Sequence, residues 1–216
     1  PDGVSDEVAS CITLKGITAE YLLHRAYPLK KGDKVLYHAA AGALGQILCP
    51  WANALGAEVI GTVGSKAKEE IAKKNGCHHV INYSEKDFVK EVEKIFGKNS
   101  LDVVYDGVGS KTFKGSIETL RIRGMMVAFG NASGYVEKLD IKKDINAKGL
   151  FFTRPSIAHY TVKREELVES AKKVFDAVLT KKFKIEISKR YPLKNAAQAH
   201  KDLENRLLTG PAVIIP

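Results

Sequence analysis

The residues most suited to chemistry lie in one short run. Val35-Leu36-Tyr37-His38 reads as a strand and passes directly into Ala39-Ala40-Ala41-Gly42-Ala43-Leu44-Gly45. Set against the pattern G-x-G-x-x-G, Ala40, Gly42 and Gly45 occupy the three glycine positions. The first position needs a small residue for a tight turn. The second needs no side chain, so that backbone approaches a pyrophosphate. The third needs none so that a helix packs on its strand. The following helix then offers unpaired N–H groups and the positive end of its dipole to phosphate. A tight strand–helix turn that holds no ligand is the plainer alternative.

A second position refines the ligand. A site for NAD places Asp or Glu at the end of the second strand to hold the ribose hydroxyls. Eighteen residues beyond Gly45 stands Val63, followed by Gly64, Ser65, Lys66, Ala67 and Lys68. No acid is present. Ser65 and Lys68 suit a 2′-phosphate that an acid would repel, so NADP(H) is the expected cofactor. Lys66 and Lys68 on a solvated helix face are the competing explanation.

Metal chemistry is not expected. Cys11, Cys49 and Cys77 are odd in number, far apart and never in a CxxC pair, which argues against both a disulfide framework and a structural zinc site and favours a reducing, cytoplasmic setting. Adjacent His78 and His79 precede a strand, where neighbours point to opposite faces.

These residues need a scaffold, and the pattern supplies one. Strands are expected at 34–38, 58–63, 79–82, 101–105, 123–129 and 150–153, with helices at 44–55, 65–74, 86–96 and 111–120. Such alternation means βαβ units, right-handed crossovers and a doubly wound parallel sheet. Ahead of it, Ser5 caps a first helix with Asp6 and Glu7 in its opening turn, and a second helix is expected at 17–27, before Pro28. Behind it come a long amphipathic helix (163–180), a strand (185–188), a helix (195–206) and a last strand (212–215), in a different rhythm.

The chain has 216 residues, 44% hydrophobic and 27% charged, enough to bury a core. No apolar run approaches the ~20 residues of a membrane span. Lys+Arg exceed Asp+Glu by 34 − 25 = 9. That excess suits an anionic partner and supports one alternative, a non-catalytic nucleotide- or RNA-binding protein. Against it, there is no arginine-rich run, and no aromatic pattern of the kind RNA-binding sheets carry.

The runs HAAAGALGQ, GTVGSKAK, VINYSEKD, VVYDGVG, MVAFGNASG, TRPS and RYPLKNAAQAH resemble the quinone oxidoreductase (zeta-crystallin-like) branch of the medium-chain dehydrogenases, over essentially the whole chain. The family pattern A-x-x-G-x-x-G falls on Ala39, Gly42 and Gly45. The resemblance implies a Rossmann sheet and a zinc-independent reductase that takes hydride from NADPH to a quinone or electron-poor enone. It implies that Ala41, Gly42, Ala43 and Leu44 line the pyrophosphate. Gly64, Ser65, Lys68 and Tyr83 would surround the 2′-phosphate, with Arg206 reaching it from the tail. Thr18 would contact the nicotinamide side. Val108 and Gly109 would lie beside the cofactor after the fourth strand, with Phe129, Gly130 and Ala132 at the end of the fifth. Ala132 stands where the motif has serine.

Family members begin with a barrel-like, GroES-like catalytic domain, and this chain starts near its end. The expected division is a cofactor domain with leading helices (1–155), a connecting helix (156–181) and a return segment of the catalytic domain (182–216). The missing part would supply the residues that face the quinone, and none here fits a general acid or nucleophile. The 216-residue chain is therefore expected to reduce quinones weakly or not at all. The run Leu150-Phe151-Phe152-Thr153 is apolar and lies at a sheet edge by strand order. In the family this edge pairs with its twin across a two-fold axis, so a homodimer is expected.

Overall fold

A computed structural model describes residues 1–205 and 207–216. Six strands form one parallel sheet: β1 (Lys34–His38), β2 (Glu58–Val63), β3 (His79–Asn82), β4 (Leu101–Asp106), β5 (Leu120–Ala128) and β6 (Phe151–Thr153), in the order β3-β2-β1-β4-β5-β6. That order reverses between β1 and β4, so the crevice for a ligand lies there, beyond the strand ends.

The strands are apolar on both faces because helices cover both. Val35, Tyr37, Val59, Val63, Val103, Tyr105 and Val127 face one core. Leu36, Ile60, Ile81, Val104 and Met126 face the other. The first face is covered by α1 (Asp6–Tyr21), α2 (Gly45–Ala54), α3 (Ala67–Lys74) and, outside α1, α7 (Arg164–Leu179). On the second lie α4 (Phe88–Phe96) and α5 (Phe113–Thr119). Short α6 (Ile157–Tyr160) precedes α7, and α8 (Ala196–Glu204) lies between β7 (Lys189–Pro192) and β8 (Ala212–Ile215), which pair in parallel as a separate two-stranded sheet.

The six main strands lie within three residues of the expected positions. Two expectations fail. The helix at 17–27 is not separate: α1 runs from Asp6 to Tyr21 and continues as a π-helical turn over Leu22–Ala26. Gly16 does not break it, because this position packs against α7; a Cβ there would lie 2.5 Å from Val174 Cγ1. The strand expected at 185–188 forms instead at Lys189–Pro192, where Tyr191 is the buried residue. Ile185 is buried in the main core rather than in a strand. The Ser5 cap is present, its hydroxyl accepting from Val8 N at 3.3 Å.

Candidate functional site

The turn after β1 is built by steric exclusion. Ala39 adopts φ +61°, a left-handed conformation uncommon outside glycine. This reverses the chain, so that Ala40 N donates to Thr62 O of β2 (3.0 Å) and Gly42 N to Ala39 O (2.9 Å). Gly45 begins α2 directly against the turn, where a Cβ would overlap the carbonyl of Ala40. Among the described residues, the amides of Ala41, Ala43 and Leu44 donate to no backbone carbonyl. Gly42 is exposed between them. This is an anion cradle with free donors and no side chain in the way.

Next to it, at the end of β2, lies a cleft of about 690 Å³ with a side chamber of about 110 Å³. Both are lined by Ala39, Gly64, Lys68 and Tyr83. Tyr83 packs its hydroxyl onto Gly64, where a Cβ would lie 2.6 Å away. Lys68 belongs to no ion pair among the described residues. Ala41, Gly42 and Leu208 close the chamber, and Val108, Lys111, Thr112 and Ala132 the far side of the cleft.

The structure thus brings Ala41, Gly42, Gly64, Lys68, Tyr83 and Val108 to one place. Ala43 and Leu44 belong to the cradle but not to the cavity walls. Ser65 stands behind Lys68, its carbonyl accepting from Lys68 N at 3.0 Å. Phe129 and Gly130 lie at the end of β5: the Phe129 ring stacks on Tyr37 at 6.4 Å, and both amides donate to Asp106 O. Thr18 does not join the cleft; it is half-buried on α1 with its hydroxyl donating to Leu14 O. Arg206 lies outside the described residues, although Leu208, two positions on, lines the chamber.

Sequence reasoning missed Asp106, the last residue of β4. It is fully buried. Its Oδ1 accepts from the amides of Val108 (2.8 Å) and Gly109 (2.9 Å), and Thr112 and Ser116 hydroxyls donate to it at 2.8–2.9 Å. The run Asp-Gly-Val-Gly after a strand was the available signal, since Asp readily caps its own following amides. Across the turn, the Ser133 hydroxyl donates to Val108 O at 2.8 Å and meets Lys111 N at 3.1 Å. The loop thus has a serine contact one residue beyond Ala132.

Residues 43–179 match the family described as zinc-binding dehydrogenase. The chain belongs to that family. It is similar to the 2-haloacrylate reductase of a Burkholderia species, with 47% identity over 95% of this chain and 62% of the relative. It is also similar to quinone oxidoreductase 1 of Escherichia coli K12, 43% identical over the whole chain and 67% of the relative. The crystal structure of E. coli quinone oxidoreductase complexed with NADPH superposes with a TM-score of 0.94 at 42% identity, over 100% of this chain and 67% of that one. The chain spans about two thirds of the length of these proteins. The medium-chain dehydrogenase/reductase membership and the Rossmann-like sheet expected above are both found.

The described residues do not fit the metal in the family's description. No group of three or more His, Cys, Asp or Glu converges among them. All three cysteines are buried, and burial pushes the Cys49 thiol well above its ordinary pKa, which opposes the thiolate a zinc ligand requires. His78 instead accepts from Val59 N at 3.0 Å, and His79 meets Glu58 at 3.2 Å.

Proposed function

We propose that this chain is the NADP(H)-binding part of a zinc-independent reductase acting on quinones or electron-poor enones. One observation carries the cofactor: at the end of β2, where a ribose-binding acid would stand, Gly64, Lys68 and Tyr83 surround a chamber that also borders Ala41 and Gly42 of the turn. The names of the similar proteins support the reaction class. Bound there, a nicotinamide dinucleotide would supply hydride, and the protein need only position it.

Each residue then has a part. Ala41 to Leu44 hold the pyrophosphate, through the free amides of Ala41, Ala43 and Leu44 and the room left by Gly42. Lys68 and Tyr83 hold the 2′-phosphate, together with Ser65 and Arg206. Val108, Phe129, Gly130 and Thr18 border the nicotinamide half. Residues 1–155 are the cofactor unit, 156–181 the connecting helix and 182–216 the return segment of a second domain. The separate β7–β8 sheet supports that division. The test is fluorescence titration with NADPH. Adenosine 2′,5′-bisphosphate should compete and 5′-AMP should not; equal competition by both would contradict the 2′-phosphate site. No described helix is long and apolar enough to cross a membrane.

A homodimer through β6 belongs to the same reading. Among the described residues β6 pairs with β5 alone, and Phe151 and Phe152 are 58% and 38% exposed. An apolar edge of this kind is a template for pairing. Sedimentation should give a dimer at tens of micromolar for the wild type and a monomer for Phe151→Lys; a monomeric wild type or a dimeric variant contradicts the interface.

A further inference from the structure

The buried polar groups beneath the cleft make one continuous path. Thr62 is near the end of β2, His38 ends β1, Ser116 is on α5 and Asp106 ends β4. All four are at most 1% exposed. His38 Nδ1 lies 2.9 Å from Thr62 Oγ1, and its Nε2 lies 2.9 Å from Ser116 Oγ. The Ser116 hydroxyl has two acceptors in reach, Asp106 Oδ2 at 2.8 Å and Thr112 O at 2.9 Å.

Donor counting sets the direction. Ser116 has one proton, and with Asp106 or Thr112 O it is spent on an acceptor that has none to give. Given to Asp106 or Thr112 O rather than to a ring nitrogen, that proton leaves the Ser116 oxygen to accept from His38, so Nε2 carries hydrogen. Burial lowers the His38 pKa, against a smaller opposing pull from Asp106, so the ring is neutral and Nδ1 is bare. Thr62 then donates to it. Of the two acceptors, the carboxylate is the stronger. Every bond in Thr62 → His38 → Ser116 → Asp106 points the same way, and bonds so aligned polarise one another. The path ends on the two amides that shape the turn beside the cleft.

We propose that these four residues form a directional hydrogen-bond chain that holds the Val108–Gly109 backbone in place for the dinucleotide, with Asp106 as its positioning residue. The inference rests on the cofactor reading above. It adds that the ends of β1, β2 and β4, which together form the cleft, are braced from behind by side chains that need not touch the cofactor.

The test uses the 216-residue chain. Ring ¹⁵N spectra of the wild type should show His38 neutral with hydrogen on Nε2; a charged ring, or hydrogen on Nδ1, overturns the chain. Asp106→Ala should weaken NADPH binding roughly 30-fold. Asp106→Asn, whose amide oxygen still accepts from both backbone amides, should recover to within about 5-fold of wild type. Ser116→Ala keeps the carboxylate and removes one hydroxyl, so it tests the same point if Asp106→Ala folds poorly. It should cost roughly 3- to 10-fold in affinity and shift the Val108 and Gly109 amide resonances. Unchanged affinity and unmoved amides in Ser116→Ala would overturn the proposal while leaving the cofactor reading intact. A wild type that binds no NADPH would overturn the cofactor reading and this one with it.

Discussion

The turns after β1 and β4 lie side by side, since their strands are paired, and both open on one cleft, yet they are held by opposite means. The first is held by absence. Gly45 lets α2 begin against Ala40, and the side-chain brace that the turn has, Asn75 Nδ2 donating to Ala40 O at 2.9 Å, occupies a carbonyl and no amide. The second is held by presence: Asp106 accepts from two backbone amides and two hydroxyls in a fully buried pocket. Steric exclusion leaves amides free for a ligand, whereas a carboxylate uses them up. The free amides after β1 therefore suit the anion, and the satisfied ones after β4 suit a wall that must keep its shape.

Three substitutions separate these designs. The largest effect is expected at Gly45→Ala. A methyl there meets backbone, which cannot swing aside, so about 1–3 kcal/mol of stability should be lost along with NADPH binding. An unchanged denaturation midpoint would show that the turn relaxes. On the polar side, Thr112→Val keeps volume and removes one donor from Asp106. Leaving a buried acceptor short should cost about 1–2 kcal/mol, read from the urea midpoint; a neutral result would show that Asp106 is over-supplied.

The smallest effect is expected at Asp202, a carboxylate held differently. Lys189 at 2.7 Å, Tyr191 at 2.5 Å and Gln198 at 2.7 Å lower its pKa from 3.8 to about 2. A depressed carboxylate adds stability above its unfolded value and loses it as pH falls through the folded one. Urea midpoints of the wild type should therefore fall between about pH 4 and pH 2, and Asp202→Asn should flatten part of that slope. Identical slopes would remove Asp202 from the account.

The same contrast explains what the residues made legible. Strand positions followed from apolar runs buried on both faces, and the phosphate turn from its small residues, because both are local properties. The Asp106 chain was not legible: His38 and Ser116, its outermost members in sequence, are 78 positions apart, and only the fold joins them to Thr62 and Asp106. Thr18 rests on the resemblance alone: the contact it makes in this chain, its hydroxyl donating to Leu14 O one turn back, carries no sign of a ligand. The strand at Lys189–Pro192 was misplaced because Ile185 and Ile187, which look like strand residues, pack against the main core instead.

The central claim is that Lys68 reads a 2′-phosphate at the end of β2. Paired titrations of wild type and Lys68→Ala with NADPH and NADH test it most directly. The wild type should prefer NADPH. The variant should lose roughly 10- to 150-fold in NADPH affinity, the range of one charge-assisted contact, and bind NADH as before. Equal losses for both cofactors, or none for NADPH, would contradict the assignment.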